Sequence, residues 1–376
     1  MTLSEKLLRE LIAIPSVNPA FVPAGDSMAG EKRVAEFLAD KLVKGGLDIE
    51  WQRVFPDRSN LIARMLPRER PVQRIVLAPH LDTVGAQDTG LFTPRMRNGR
   101  VYGRGACDTK GNVALMLAAM FNLAHSRQRP SRTEIIFAGL VDEENGQNGS
   151  RAFVASNFKA GLAIVGEPTR LRVVTAHKGN LWMRLETAGK SAHGARPELG
   201  RNAVHAMAKI VDLLETDYAA LLRRRRHELL GHPTINVGSI AGGTQPNIVP
   251  ASCAISVDRR TLPGETERSV RSEIRALLGR HRYRAKWVNT KAAECRPLET
   301  PSNLPLVRQF LESAGQTKPA GVDFFCDASV LSAGGIPSVV FGAGNIAQAH
   351  TADEWISRSS LETGTRLLTR FLESLP

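Results

Sequence analysis

Through its first half the chain alternates short, continuous apolar runs with longer segments of helical periodicity. "SEKLLRELIAI" and "SMAGEKRVAEFLADKLVKGG" repeat apolar residues at helical spacing, and the second ends on a Gly pair. Both predict helices. "NLIARML", "RIVLAPH", "TEIIFAG" and "GLAIVGE" have strand length and are rich in Ile, Leu and Val. Between them, "GNVALMLAAMFNLAH" is apolar nearly all round, which predicts a buried helix. Continuous apolar strands alternating with helices predict an α/β fold, a mostly parallel sheet with helices on both faces.

The pattern changes near Val173. "RVVTAHKGNLWMRLETAGK" alternates as a half-exposed strand does, and a helix follows at "GRNAVHAMAKIVDLLETDY". Strands at "TINVGSIAGG" and "ASCAISVDRRTL", a helix at "ETERSVRSEIRALLGRH" and a strand at "RAKWVNT" complete the series. This β-α-β-β-α-β order predicts an inserted ferredoxin-like α+β domain. A helix at "NLPLVRQFLESAG", the strand "SVVFGAG" and a last helix at "SSLETGTRLLTRFLESL" return to the first style. The expected division is a domain of residues 1–176 and 291–376, with an inserted domain of residues 177–290.

Composition narrows the class. At 376 residues the chain exceeds one typical core. Its 42% hydrophobic and 23% charged residues are those of an ordinary soluble globular protein. No apolar run approaches the ~20 residues that span a bilayer, so no membrane association is expected. The N-terminus "MTLSEKLLRELIAIPS" mixes charges and does not resemble a signal peptide. Cys107, Cys253, Cys295 and Cys326 form no CxxC pair, and a cytoplasmic location is expected. The net charge of +13 admits anionic partners. The densest basic run, Arg223 to Arg226 in "LLRRRRHELL", lacks interleaved aromatics and lies in a helical pattern. It reads as a solvated helix end, and no nucleic-acid partner is expected.

The chemistry gathers at strand ends. "RIVLAPHLD" ends at His80 and Asp82, "EIIFAGLVDEE" at Glu143 and Glu144, and "LAIVGE" at Glu167, while His350 follows "PSVVFGAG" within a short loop. In an open parallel sheet the carboxyl ends of the strands share one edge, where ligands bind. Asp108, in the Gly-rich "GRGACDTKGN", begins the buried helix beside that edge. Each residue alone has a plainer reading: a hydrogen-bonded His, an Asp N-cap, a turn at Glu167–Pro168. Together, imidazoles and carboxylates suit Zn²⁺, or Co²⁺ or Mn²⁺.

"HLDTV", "GRGACDTKG", "VDEENG", "GEPT" and "AQAHTADE" together resemble the motifs of the M20 metallopeptidase family. This group includes acetylornithine deacetylases, succinyl-diaminopimelate desuccinylases, aminoacylases and carboxypeptidases. The resemblance implies an α/β catalytic domain, an inserted lid domain that often dimerises, and two zinc ions bridged by Asp108. His80 and Glu167 would complete one metal site, and Glu144 and His350 the other. Asp82 would orient His80, and Glu143 would be the general base. In "GKSAHGARPELGRNA", His193 of the lid would donate to the tetrahedral oxyanion. Asn247 in "GGTQPNIVP" and Arg259 in "VDRRTLPGE" would grip a substrate carboxylate. The neighbouring Arg260 is an alternative for that grip. Asp142 keeps the plain reading of a hydrogen-bonding turn residue, and Cys107 and Cys326 are read as structural. The expected function is deacylation of small N-acyl amino acids by a homodimer formed through the lid. The alternative is an M20-type carboxypeptidase or dipeptidase releasing an amino acid from a small peptide.

Overall fold

The computed structural model describes residues 1–86, 88–290 and 294–376. The chain divides into two compact units. The first comprises Met1–Thr175, Thr300–Ala320 and Cys326–Pro376; the second comprises Ala176–Glu299 and Gly321–Phe325. The domain boundary expected at Lys291 lies outside the described residues.

In the first unit four parallel strands lie side by side in the order Thr133–Gly139, Gln73–Ala78, Leu162–Val165, Ser338–Val340. Every residue of Thr133–Gly139 and of Leu162–Val165 is buried. Covered on both faces, such strands gain nothing from alternation, so their sequences read as continuous apolar runs. Ser59–Met65 pairs antiparallel with Thr133–Gly139, and Asp48–Arg53 pairs antiparallel with Ser59–Met65. The hydropathy pattern does not predict Asp48–Arg53. It is an edge strand with exposed and half-exposed positions only, and charge on such an edge guards against further strand pairing.

The helix Lys110–His125 is buried from Lys110 through Met120, as its apolar circumference predicts. It packs against the helices Leu3–Ile12 and Arg358–Glu373. Gly364 permits the close approach, because a Cβ there would meet Leu115 Cδ1 at 2.4 Å. A small antiparallel sheet of Arg95–Arg97, Arg100–Tyr102 and Trp355–Ser357 was not legible in the hydropathy pattern. It brings the chain after His350 back beside the Gly-rich loop, where Gly103 N donates to Glu354 O at 3.0 Å.

The second unit holds an antiparallel sheet in the order Thr234–Gly242, Ser252–Thr261, Gly179–Ala188, Lys286–Asn289. Met207 and Ile210 of the helix Ala203–Leu213, and Val270 and Ile274 of the helix Glu267–Arg280, share a core with Leu185, Ile255 and Val257 of the sheet. The element order is the expected β-α-β-β-α-β. The run read as one strand from Arg172 is two, Val174–His177 and Gly179–Ala188, interrupted at Lys178.

The first unit depends on the buried helix beneath its sheet. Leu115 is 0% exposed, and Leu115→Ala is expected to cost ~2–5 kcal/mol. Urea denaturation should show a lower midpoint with an unchanged slope.

Candidate metal centre

The carboxyl ends of the parallel strands bring the strand-end candidates together. His80 follows Gln73–Ala78, and its bridge to Leu140 extends the parallel pairing beyond the named strands. Glu143 and Glu144 follow Thr133–Gly139, and Glu167 follows Leu162–Val165. Asp108 stands in the middle. Its Oδ1 lies 3.0 Å from His80 Nε2 and its Oδ2 lies 3.3 Å from His350 Nε2. Glu167 Oε1 is 3.8 Å from His80 Nε2, and Glu144 is 3.3 Å from His350 Nε2. His80, Asp108 and Glu144 each offer a ligand atom, all within 4.8 Å of one another. Asp108 does not act as a helix cap: Thr109 holds the cap position, without a side-chain cap bond.

Asp82 organises this edge from beneath. Its backbone carbonyl is 3.0 Å from His80 Nδ1, and its carboxylate Oδ1 is 3.4 Å away. The same carboxylate accepts from the backbone N–H groups of Glu143 and Glu144, at 3.1 and 3.0 Å, and from Asn18 Nδ2 at 2.8 Å. One buried aspartate thus fixes an imidazole and the turn that carries two glutamates.

Asp142 is the hydrogen-bonding turn residue its sequence predicts, held by four bonds. It is buried, and its φ of 69° lies in the left-handed region, which costs a non-glycine residue about 1–2 kcal/mol. Its carboxylate accepts from Asn18, Arg58 and Asn148, and its N–H donates to Glu31. Arg58 in turn makes a two-pronged pair with Glu31, at 2.7 and 2.6 Å. These bonds hold the strained turn against the sheet.

Glu354 does the same for the Asp108 loop, and the sequence reading gave it no role. Its Oε1 accepts from Cys107 N and Asp108 N, at 2.8 and 3.0 Å, and its Oε2 from Gly105 N and Arg104 Nη1, at 3.0 and 2.7 Å. Its signal was an acid shortly beyond His350 in "AQAHTADE". Lys110 ties the start of the buried helix to another element, donating to Leu11 O and Ile14 O at 3.0 and 2.6 Å. Asp327 was also missed as a site residue. It is buried, its Oδ1 accepts from Ser150 Oγ at 2.6 Å, and its Oδ2 has no hydrogen-bond partner among the described residues.

Burial makes this concentration of charge costly. Glu143 and Glu167 are pushed well above the usual carboxylate range, first by burial and then by neighbouring carboxylates, against the opposing pull of His80. Burial and then Asp108 push Glu144 up to about 6, and burial pushes Asp327 up to about 6. Burial also opposes ionisation of Asp108, but hydrogen bonds from His350 and His80 prevail and hold it below its usual range. The His350 imidazole is held up to about 10 by its bonds to Asp108 and Glu144. Buried carboxylates that oppose one another's ionisation are the donor set a divalent cation relieves. Oxygen and imidazole nitrogen fit the chemistry of zinc and of its neighbours in the first row.

The three remaining candidates belong to the second unit. His193 and Asn247 are exposed and adjacent there: Gly194 N donates to Asn247 O at 2.7 Å, and His193 bridges Ile248. Arg259 is 0% exposed. Its Nη2 is paired with Glu265 at 2.6 Å, and its Nε lies 3.4 Å from Tyr218 Oη. Arg260, the alternative, is half-buried and pairs with Asp258. Among the described residues all four cysteines are free and buried, and burial pushes the thiols of Cys107 and Cys326 up.

Comparison with known proteins identifies the family of the chain. The profile of peptidase family M20/M25/M40 matches residues 76–374. The chain is 30% identical over 383 residues to an acetylornithine deacetylase of Proteus mirabilis, covering 98% of this chain and 96% of that one. A metallo-carboxypeptidase of the M20 family from Sulfolobus solfataricus superposes with a TM-score of 0.78, at 19% identity, over 99% of both chains. A dinuclear metal-binding M20 peptidase from Bacillus subtilis superposes with a TM-score of 0.69, at 15% identity, over 98% of this chain and 96% of that one. The chain belongs to the M20 family and is a metal-dependent amidohydrolase. No helix among the described residues is long and apolar enough to cross a membrane.

The charge arrangement predicts a pH effect in protein stripped of metal. A carboxyl whose pKa is raised on folding destabilises the fold as it ionises. For Glu144 that loss begins near its ordinary 4.5 and is complete above about 6. Glu143 and Glu167 act in the same direction. The thermal midpoint of chelator-treated protein should therefore fall as pH rises through this window. Saturation with Zn²⁺ should raise the midpoint and flatten the slope. A midpoint that rises with pH in the stripped protein would contradict the assignment.

Proposed function

We propose that the chain is a dinuclear zinc hydrolase that cleaves the amide bond of small N-acyl amino acids, as an acetylornithine deacetylase does. The supporting observation is Asp108, whose two oxygens face different imidazoles, His80 at 3.0 Å and His350 at 3.3 Å. In this reading Asp108 would be shared between two ions, with His80 and Glu167 holding one and Glu144 and His350 holding the other. When bound, the metal pair supplies Lewis-acid polarisation of the scissile carbonyl and acidifies the attacking water.

The chain's own residues carry the protons. Glu143 takes the proton of the attacking water and returns it to the leaving amine. Asp82 keeps His80 and the backbone of Glu143 in fixed relation. His193 is assigned to the oxyanion and Asn247 to the substrate carboxylate. A substrate carboxylate on Arg259 would have to take the place of Glu265. A homodimer through the second unit belongs to the same reading.

Two measurements test it. Glu143→Ala should lower kcat at least ~10²-fold, within the range general acid–base groups supply, while metal content stays at the wild-type value. Loss of the metal in that variant would refute the base assignment. A panel of N-acetyl amino acids, N-succinyl diamines and dipeptides should show the highest kcat/KM for an N-acyl amino acid. Preference for dipeptides would replace the deacylase reading with a dipeptidase.

A further inference from the structure

The second unit carries a concentration of cations that amide hydrolysis does not use. The segment "HRYRAKW", residues 281–287, interleaves basic and aromatic side chains. It links the end of the helix Glu267–Arg280 to Lys286–Asn289, an edge strand of the four-stranded sheet. A cavity of about 480 Å³ opens there, lined by Arg271, Arg275, Arg284 and Lys286 beside Tyr283 and Trp287. A second cavity, of about 800 Å³, shares Tyr283, Arg284 and Lys286 with the first. It adds Arg201, His205, Lys209 and Arg282.

These charges are not neutralised from within. Glu186 is the one carboxylate among the lining residues, and it is paired with Arg184 at 2.9 Å. Among the described residues, Arg201, Lys209, Arg275, Arg282, Arg284 and Lys286 have no carboxylate within the 4.0 Å of an ion pair. Arg271 lies over the Trp287 ring, 5.4 Å from its centroid, and its Nε is buried without a hydrogen-bond partner among the described residues. Elsewhere the same unit does balance its arginines: Arg225 meets Glu265 and Glu273, and Arg259 meets Glu265.

Cations facing a shared concavity repel one another and focus a positive potential that an anion relieves. Guanidinium forks match phosphate oxygens two at a time. A single sulfate or carboxylate engages few of these groups. A run of linked phosphates has more oxygens to offer, and the two cavities meet at the shared Tyr283, Arg284 and Lys286. We propose that this joined groove, built wholly from second-unit residues, binds an oligophosphate group, as carried by inorganic polyphosphate or by a nucleoside triphosphate. Tyr283 and Trp287 add ring surface for a base, which separates the two sources.

The test is calorimetric titration of the full chain with tripolyphosphate, ATP and sulfate at matched ionic strength. Tripolyphosphate or ATP should bind at one site per chain, at least tenfold tighter than sulfate, and more weakly as salt rises. ATP tenfold tighter than tripolyphosphate identifies a nucleotide; equal affinity identifies the phosphate chain alone. Arg284 and Lys286 are exposed, so Arg284→Ser with Lys286→Ser should leave the thermal midpoint and amide hydrolysis unchanged. That pair should weaken binding at least tenfold. Arg223→Ser with Arg224→Ser, at exposed positions of the same unit, should leave binding unchanged. Chelation of the catalytic metal by free phosphates is common to all three proteins, so their differences report the groove. Sulfate binding as tightly as tripolyphosphate, or equal weakening by both double variants, would overturn the site. Single-stranded oligonucleotide binding far tighter than ATP, lost on the Arg284 and Lys286 changes, would replace it with a nucleic-acid surface.

Discussion

The structure of the first unit turns on one electrostatic problem: several carboxylates, buried or half-buried, must sit together at the ends of parallel strands. Burial alone drives Glu143, Glu144 and Glu167 toward their neutral forms, and each opposes ionisation of the next. Desolvated charge of one sign is tolerated only where something of the opposite sign compensates it. Two imidazoles offer part of that compensation, through Asp108. A divalent cation offers more of it, and the same cation is what an amidohydrolase needs to polarise a carbonyl. Stability and chemistry therefore make the same demand on this edge.

The groups around the centre hold it in place by accepting backbone hydrogen bonds. Asp82 accepts from the turn that carries Glu143 and Glu144, and Glu354 accepts from the loop that carries Asp108. Asp142 anchors the strained turn through Asn18, Arg58 and Asn148. Each is an acid whose charge is spent on orientation. The three successive carboxylates of "VDEENG" thus divide their work. Asp142 points into the supporting network, and Glu144 lies by His350. Glu143 has its backbone tied to Asp82.

The strands and their terminal candidates were legible because a parallel sheet puts strand ends on one edge, so that His80, Glu144 and Glu167 could be grouped without coordinates. The inserted unit was legible from its change of periodicity. Groups that act through distant backbone were not. Glu354 reaches Asp108 across 246 residues of chain, and Asp327 reaches Ser150 across 177. No local spacing encodes such contacts. The exposed strand Asp48–Arg53 was hidden by its charge. The basic groove was overlooked for a related reason: its cations come from separate elements, whereas the contiguous Arg223–Arg226 run drew attention and is partly neutralised by Glu265 and Glu273.

The central claim is that Asp108 joins two metal sites. Metal analysis of the purified chain and of Asp108→Ala tests it most directly. The account predicts two equivalents of divalent metal per wild-type chain, and loss of both in the variant with the fold intact. Wild-type protein that holds no metal after incubation with Zn²⁺, or a folded variant that keeps both equivalents, would contradict it.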